Sequence, residues 1–397
     1  MKKNFSSKSI SKVYSTFVTL LLITNLGCNS SDKDTPVAQY EYQPPIQLND
    51  GWSISNYSQL NLDPTKINQL INHIQQKDDG FLYIDSISIA HQGHLILDHR
   101  IRNQLDFADG WANNKNIELH VLNSVTKSFT SALVGIAIDQ NIIPSVDVKV
   151  HDYFSHKQPI DNWTTEKQNI TLENWLNMRA GYDWDEWNIL YLQEDNILTH
   201  MNNSSDPVKF VLDRPMATQP GEQFAYSTGV SYVIGRLLQI ASGSSVEQFL
   251  QQNLLAPLQI TDFTFWRLDG QLNTGSALYL KARDMLKLGQ LYLSGGIWNG
   301  QRIISAQWIN QSTQQRVDLR EDRSVGYGYH WWMTKFTVNG QTFSSYYADG
   351  FGGQYIFVIP QLDLVVALTG SAYQEGQVEH RSIRNILQQY ILPTFAP

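Results

Sequence analysis

Ser124-Val125-Thr126-Lys127 stands at the head of an apolar run formed by Phe129, Ala132, Leu133, Val134, Ile136, Ala137 and Ile138. Those positions are apolar nearly all round a helical wheel, which predicts a helix buried at the centre of the protein. At its start a hydroxyl and an amine are three residues apart, on one helical face and within mutual reach. A serine hydroxyl is a poor nucleophile at neutral pH until a neighbouring base takes its proton. The helix N-terminus adds unpaired backbone N–H groups and positive dipole, which favour negative charge developing beside Ser124. An unpaired buried ammonium is costly, so a lysine in this place needs a partner or a task. A capping serine followed by a snorkelling lysine meets the same spacing, so the motif alone does not decide. Two other S-x-x-K matches, Ser9/Lys12 and Ser30/Lys33, lie in segments that read as export signal and tether.

The chain has 397 residues, a net charge of −8 and one cysteine. That length suits one large α/β enzyme, and the composition is ordinarily globular. The negative charge, with no basic run or stripe, argues against a nucleic-acid partner. Neither C-x-x-C nor H-E-x-x-H occurs, which removes the commonest zinc signatures. His91 and His94 flank a glycine and read as solvated turn histidines rather than ligands.

Lys2, Lys3, Lys8 and Lys12 precede an apolar stretch from Val13 to Leu26, the pattern of a secretory signal. Leu26-Gly27-Cys28 resembles a lipobox, with Asn25 where a leucine is usual, so Cys28 is the expected lipidation site. Residues 1–28 are thus read as signal peptide and 29–50 as a polar tether. The body is expected at 51–397, with a sheet region at about 51–120 and 275–397 and a helical region at about 121–274.

Within that body, Asp63-Pro64 opens a helix with Ile67, Leu70, Ile71 and Ile74 at helical spacing. Ile87–Ala90 and Leu95–Leu97 form a hairpin around Gln92-Gly93. Asp206-Pro207 and Ser245–Gln248 mark further helix starts, and Lys281–Leu293 a helix closed by Gly295-Gly296. Asn339-Gly340 joins two strands, Tyr329–Val338 and Gln341–Tyr347, as a hairpin. Strands at Tyr355–Ile359 and Leu364–Leu368 follow, then an amphipathic last helix through Ile383, Ile386, Leu387, Tyr390 and Ile391. One antiparallel sheet, made from the N-terminal hairpin and the C-terminal strands, is expected to flank an inserted helical region.

Two more pieces bear on Ser124. In Pro220-Gly221-Glu222-Gln223-Phe224-Ala225-Tyr226-Ser227-Thr228, a turn leads into a helix and can aim Tyr226 into a cleft. An ammonium nearby favours the phenolate, so a Ser–Lys–Tyr cluster can pass one proton among its members. Ala348-Asp349-Gly350-Phe351-Gly352-Gly353-Gln354 places clustered glycines at a strand, where another backbone can come close. Such a strand can offer an N–H to an acyl oxygen beside the N–H of Ser124. A tight bend between strands explains the glycines equally well, and a phosphate cradle is disfavoured by the lack of a following helix.

As an ordered set these pieces resemble the serine β-lactamase and penicillin-binding-protein superfamily over roughly residues 50 to 395. The likeness is to its class C-like branch of esterases and amide hydrolases, including the 6-aminohexanoate-dimer hydrolases. Ile170-Thr-Leu ahead of Met178-Arg-Ala-Gly181-Tyr182-Asp183-Trp184, Ala282-Arg-Asp284-Met and Gly289-Gln-Leu-Tyr-Leu join the set. The resemblance implies an α+β, β-lactamase/transpeptidase-like fold. It implies Ser124 as nucleophile, Lys127 as general base and Tyr226 as proton shuttle. It places Gly350 on the substrate strand and the Phe351 N–H with that of Ser124 in the oxyanion hole. Tyr182 is implied at the acyl pocket and Thr228 at a substrate-binding position.

Two departures matter: Thr228 replaces the asparagine of Tyr-x-Asn, and Ala348 replaces the lysine of Lys-Thr-Gly. Those groups hold the amide and carboxylate of a β-lactam or D-Ala terminus, so the usual substrate does not follow. Tyr182, Trp184, Trp187 and Trp331-Trp332 fit either an aromatic rim or, for the tryptophans one by one, core packing; a rim would suit an apolar ester or amide better than a charged one. The expectation is an exported, lipid-anchored serine hydrolase, needing no metal or cofactor and taking a small ester or amide as its partner. Two alternatives stay open: a D-Ala-peptide or β-lactam-processing enzyme, and a non-catalytic sensor or scaffold of the same fold.

Overall fold

The computed structural model describes residues 39–396, except 77, 79–80, 82, 102–118, 192, 321–324 and 374–382. The readings of residues 1–38, the signal and Cys28 among them, lie outside the described residues. The sheet strands are β1 (Ser53–Ile54), β2 (Ile84–His91), β3 (His94–Arg100), β4 (Val317–Asp318), β5 (Val325–Tyr327), β6 (Trp332–Val338), β7 (Gln341–Gly350), β8 (Gln354–Ile359) and β9 (Leu364–Gly370). They form one nine-stranded sheet in the order β1-β3-β2-β9-β8-β7-β6-β5-β4. Every pairing is antiparallel except β1 with β3. The N-terminal hairpin thus meets the C-terminal strands through β2 and β9, in register from His91 opposite Leu364 to Ser86 opposite Thr369.

Local chemistry explains the hairpins. Gln92 and Gly93 take φ of 51° and 74°, and Asn339 and Gly340 take 52° and 76°, the left-handed pair that matches strand twist. His91 is buried and bonds through Nδ1 to the Asp363 carbonyl at 3.2 Å, so it is not the solvated turn histidine expected. The strand expected from Tyr329 begins only at Trp332. Short β1, β4 and β5 escaped sequence reading, being too brief to show a period of two.

The sheet is covered on both faces. On one side α1 (Thr65–Gln75) and the C-terminal helical segment bury Ile67, Leu70, Ile71, Ile74, Ile383, Ile386 and Leu387 against Ile87, Phe357 and Val366. Asp63 accepts from Thr65 N at 2.9 Å and starts α1. On the other side lie α2 (Thr126–Asp139), α3 (Thr228–Ser242) and α4 (Ala282–Leu293) within the larger core. The region between α2 and α4 is mainly helical, as expected, with short strands near its end at Thr264–Phe265, Arg267–Leu268 and Gln271–Leu272.

Residues 39–50, expected as tether, lie against the body. Tyr40 N donates to Asn72 Oδ1 at 2.7 Å, Tyr42 donates to the Ile96 carbonyl at 2.8 Å, and Asp50 pairs with Arg283. The aromatic rings in this stretch give it apolar area to bury, which a free linker lacks.

The packing of α4 on the sheet depends on Gly289. A Cβ there would come within 2.4 Å of Val365 Cγ1 and 2.8 Å of Ile356 Cγ2. Those are short, branched side chains on paired strands, so the helix itself has to move. Gly289→Ala is expected to cost ~1–3 kcal/mol, read as a lower denaturant midpoint with an unchanged slope.

Candidate active site

Ser124 sits in a single 3-10 turn, Asn123–Val125, that runs directly into α2. Asn123 takes φ of 45°, a conformation asparagine tolerates better than most residues. Its Nδ2 donates to the Phe351 carbonyl at 2.7 Å, pinning the turn to the end of β7. Gly350 completes that fit, since a Cβ on it would lie 2.2 Å from the Leu122 carbonyl oxygen. The glycine-rich stretch therefore does allow a close backbone approach, and the backbone approached is that of the turn that carries Ser124. Sequence reading missed Asn123, whose only signal is its place before the serine.

One turn along, Lys127 is 1% exposed. Its Nζ lies 2.9 Å from Ser124 Oγ, 3.0 Å from Thr228 Oγ1 and 2.9 Å from the Gly275 carbonyl. Burial lowers its pKa to about 8, against the opposing pull of Glu186. A fraction of the amine is thus neutral near pH 7, which an exposed lysine cannot offer.

Tyr226 precedes α3, whose start is capped by Ser227 Oγ accepting from Val230 N at 3.1 Å. Lys127 Nζ stands 4.8 Å from the Tyr226 ring centroid, so the phenol lies beside the Ser124–Lys127 pair. The sequence reading expected the nearby ammonium to favour the phenolate; in the structure the opposite holds and the phenol keeps its proton. Burial, with the charges of Glu186 and Asp349, holds its pKa well above the ordinary value, against a smaller opposing pull from the Ser124 hydroxyl. Of the pair, the lysine is the group that can give up its proton near neutrality.

Thr228 is 2% exposed and faces inward. Its hydroxyl donates to Glu186 Oε1 at 2.7 Å and lies on Lys127, so it has no free group for a substrate amide. Tyr182 is also buried, its hydroxyl 3.0 Å from His151 Nε2. The hydroxyls of both residues expected at the substrate are thus engaged by buried partners from remote segments.

The surroundings of Tyr226 are aromatic. Trp187 stacks on Tyr226 with centroids 5.0 Å apart, and Trp332 stacks on it at 5.7 Å. Phe224 and Tyr327 pack edge-on against Trp332 at 6.1 and 4.8 Å. Trp187 is 54% exposed. By contrast Trp184 is buried with its indole N–H on Glu186, and Trp331 packs on Tyr292 in the core. His330, also missed, is buried at φ 58°, with Nδ1 3.1 Å from the Lys127 carbonyl. Burial and Lys127 lower its pKa to about 3, so it steadies α2 as a neutral ring.

A nine-stranded sheet with a buried Ser-x-x-Lys helix on one face, the amine on the serine and a tyrosine over both, defines a β-lactamase/transpeptidase-type serine protein. The family described as Beta-lactamase matches residues 86–390, and the chain belongs to it. The fold is shared with a family VIII carboxylesterase (TM-score 0.61, 17% identity, covering 82% of this chain and 96% of that one). It is also shared with a D-stereospecific amidohydrolase from Streptomyces (TM-score 0.59, 14% identity, 81% and 98%). In sequence the chain is similar to the acyltransferase mokF of Monascus pilosus, 32% identical over 100 residues. That stretch is 25% of this chain and only 24% of the Monascus protein. Esterases and amide hydrolases are thus among the proteins that share this architecture.

The geometry makes Ser124 Oγ the most basic-assisted hydroxyl of the cluster. A fluorophosphonate is expected to modify the protein at Ser124 alone, and Lys127→Ala to slow that reaction by about a hundredfold or more. Peptide mass mapping of the adduct, with its rate in both proteins, checks this; an adduct on another serine contradicts it.

Proposed function

We propose that the protein is an exported, lipid-anchored serine hydrolase that cleaves a small ester or neutral amide through an acyl-enzyme. The observation that carries this reading is the buried Lys127 amine, 2.9 Å from Ser124 Oγ and with a pKa lowered to about 8. A scaffold has no use for a buried amine on a hydroxyl, and its desolvation is costly.

In this reading neutral Lys127 takes the Ser124 proton as Oγ attacks the carbonyl carbon. The N–H groups of Ser124 and Phe351 receive the oxyanion, the latter carried by the β7 end that Asn123 and Gly350 hold against the turn. As the intermediate collapses, the Tyr226 hydroxyl gives its proton to the leaving alcohol or amine. Lys127, now an ammonium, returns a proton to Tyr226. Water then attacks the acyl-enzyme, losing a proton to the same base, and Ser124 regains its hydrogen. One water is consumed, with an acid and an alcohol or amine released.

The surroundings support a neutral substrate. Ala348 is buried and supplies no cation, Thr228 is occupied by Glu186 and Lys127, and Asp349 adds negative charge within reach of Tyr226. The stacked face of Trp187 and Trp332 suits an apolar acyl or leaving group. These features weigh against the D-Ala-peptide or β-lactam alternative, whose carboxylate needs a positive partner. The lipid anchor and export rest on Leu26-Gly27-Cys28 and the apolar stretch before it.

Two outcomes follow. A charge-assisted contact to a carboxylate is worth about 1.5–3 kcal/mol, so kcat/KM for p-nitrophenyl butyrate is expected to exceed that for nitrocefin by about tenfold or more. The reverse order would favour the penicillin-recognising alternative. Because the working form of Lys127 is the neutral amine, kcat/KM for the ester is expected to rise with pH and level off above about 8. A flat profile between pH 6 and 9 would remove Lys127 from the role of base.

A further inference from the structure

Glu186 is 1% exposed, and the steps above give it no part. Four donors surround its carboxylate. Oε1 accepts from the Thr228 hydroxyl at 2.7 Å and the Tyr191 hydroxyl at 3.0 Å. Oε2 accepts from Thr228 N at 2.7 Å and Trp184 Nε1 at 2.8 Å. A carboxylate has about four lone-pair sites, so this one is saturated.

The direction of those bonds has a consequence at the lysine. An ionised carboxylate only accepts, so the single Thr228 hydroxyl proton is committed to Glu186. The Thr228 oxygen can then only accept from Lys127 Nζ, 3.0 Å away. The Gly275 carbonyl, at 2.9 Å, is likewise only an acceptor. A neutral amine has two N–H bonds and one lone pair. Both N–H bonds are taken, and the lone pair is left for the third neighbour, Ser124 Oγ at 2.9 Å.

We propose that Glu186, acting through the Thr228 hydroxyl, sets the polarity of the hydrogen bonds around Lys127 so that the amine lone pair faces the Ser124 proton. Glu186 is thus a positioning residue, touching neither substrate nor nucleophile. The inference rests on the reading of Ser124 as nucleophile and Lys127 as base.

Glu186→Gln tests it with almost no change of shape. The two N–H donors at Oε2 hold the amide oxygen there, which turns the amide NH2 toward Thr228 and Tyr191. Both hydroxyls then have to accept, and the Thr228 proton is released to turn onto the Lys127 lone pair. The expected result is a fall of about a hundredfold or more in both fluorophosphonate labelling of Ser124 and kcat for p-nitrophenyl butyrate, with KM little altered. The groups facing Lys127 are Glu186, the Tyr226 phenol and, behind its carbonyl, the neutral His330. Loss of the Glu186 charge and the new bond to the lone pair both favour the neutral amine. The rise of kcat/KM is therefore expected at lower pH in the variant, even as its maximum falls. A purely structural defect would lower the maximum without moving the rise.

Thr228→Val, which removes the relaying hydroxyl, is expected to slow labelling comparably, and Glu186→Gln in that background to add little. Should Glu186→Gln fail to fold, the labelling rate of Thr228→Val decides alone. A single variant labelled within about threefold of wild type, a rise in kcat/KM that stays in place, or losses that multiply in the double variant would each overturn the inference while leaving Ser124 as nucleophile. Wild type that is not labelled at Ser124 would overturn that assignment itself.

Discussion

Everything at the cleft depends on where one ammonium-bearing side chain is buried. Lys127 meets a hydroxyl from its own helix turn, a hydroxyl from the start of α3 and a carbonyl from the segment leading to α4. Three stretches distant in sequence are held by a group that could not be buried there without them. Desolvation is what makes the lysine useful, since it lowers the affinity of the amine for its proton. It also makes the arrangement intolerant, because loss of any partner would leave a polar group unpaired in an apolar core.

The sheet contributes by bringing backbone, rather than side chains, to this cluster. Strand β7 ends at Gly350 against the carbonyl of Leu122, and Asn123 clasps the next residue. Gln354 at the start of β8 bonds through its side chain to both the N–H and carbonyl of Gly370 on β9. The strand ends near the site are therefore joined by side-chain amides where the regular ladder stops. That permits a sharp turn at 351–353, with Gly352 and Gly353 at φ of 93° and 102°, without leaving the turn slack.

Much of this was legible in the sequence because it rests on local chemistry. The buried helix showed in apolar residues nearly all round its wheel, the hairpins in Gln92-Gly93 and Asn339-Gly340, and α1 in Asp63-Pro64. The Ser124–Lys127 pair was readable because helix geometry alone brings it together. What stayed hidden depends on tertiary neighbours. Thr228 and Tyr182 looked available to a substrate, yet each has its polar end consumed by a residue remote in sequence. Glu186 was unreadable as a buried group: it lies among Asp183, Asp185 and Glu194, and only the folded loop tells it from its solvated neighbours. The protonation order of Lys127 and Tyr226 was likewise invisible, because it follows from burial and from charges on other segments.

The loop from Trp184 to Tyr191 ties two properties together that many enzymes keep apart. Tyr191 donates to Glu186 and accepts from the indole of Trp187 at 3.2 Å, while Trp187 is exposed and stacks on Tyr226. The exposed aromatic face and the carboxylate beside Lys127 thus share one hydrogen-bonded framework. For descent with modification this is a constraint: substitutions that reshape that face near Tyr191 would disturb the carboxylate as well. Phe224, which packs on the rings without joining their hydrogen bonds, lies outside that framework. It is the position where a lineage could change its diet without first disturbing the buried cluster.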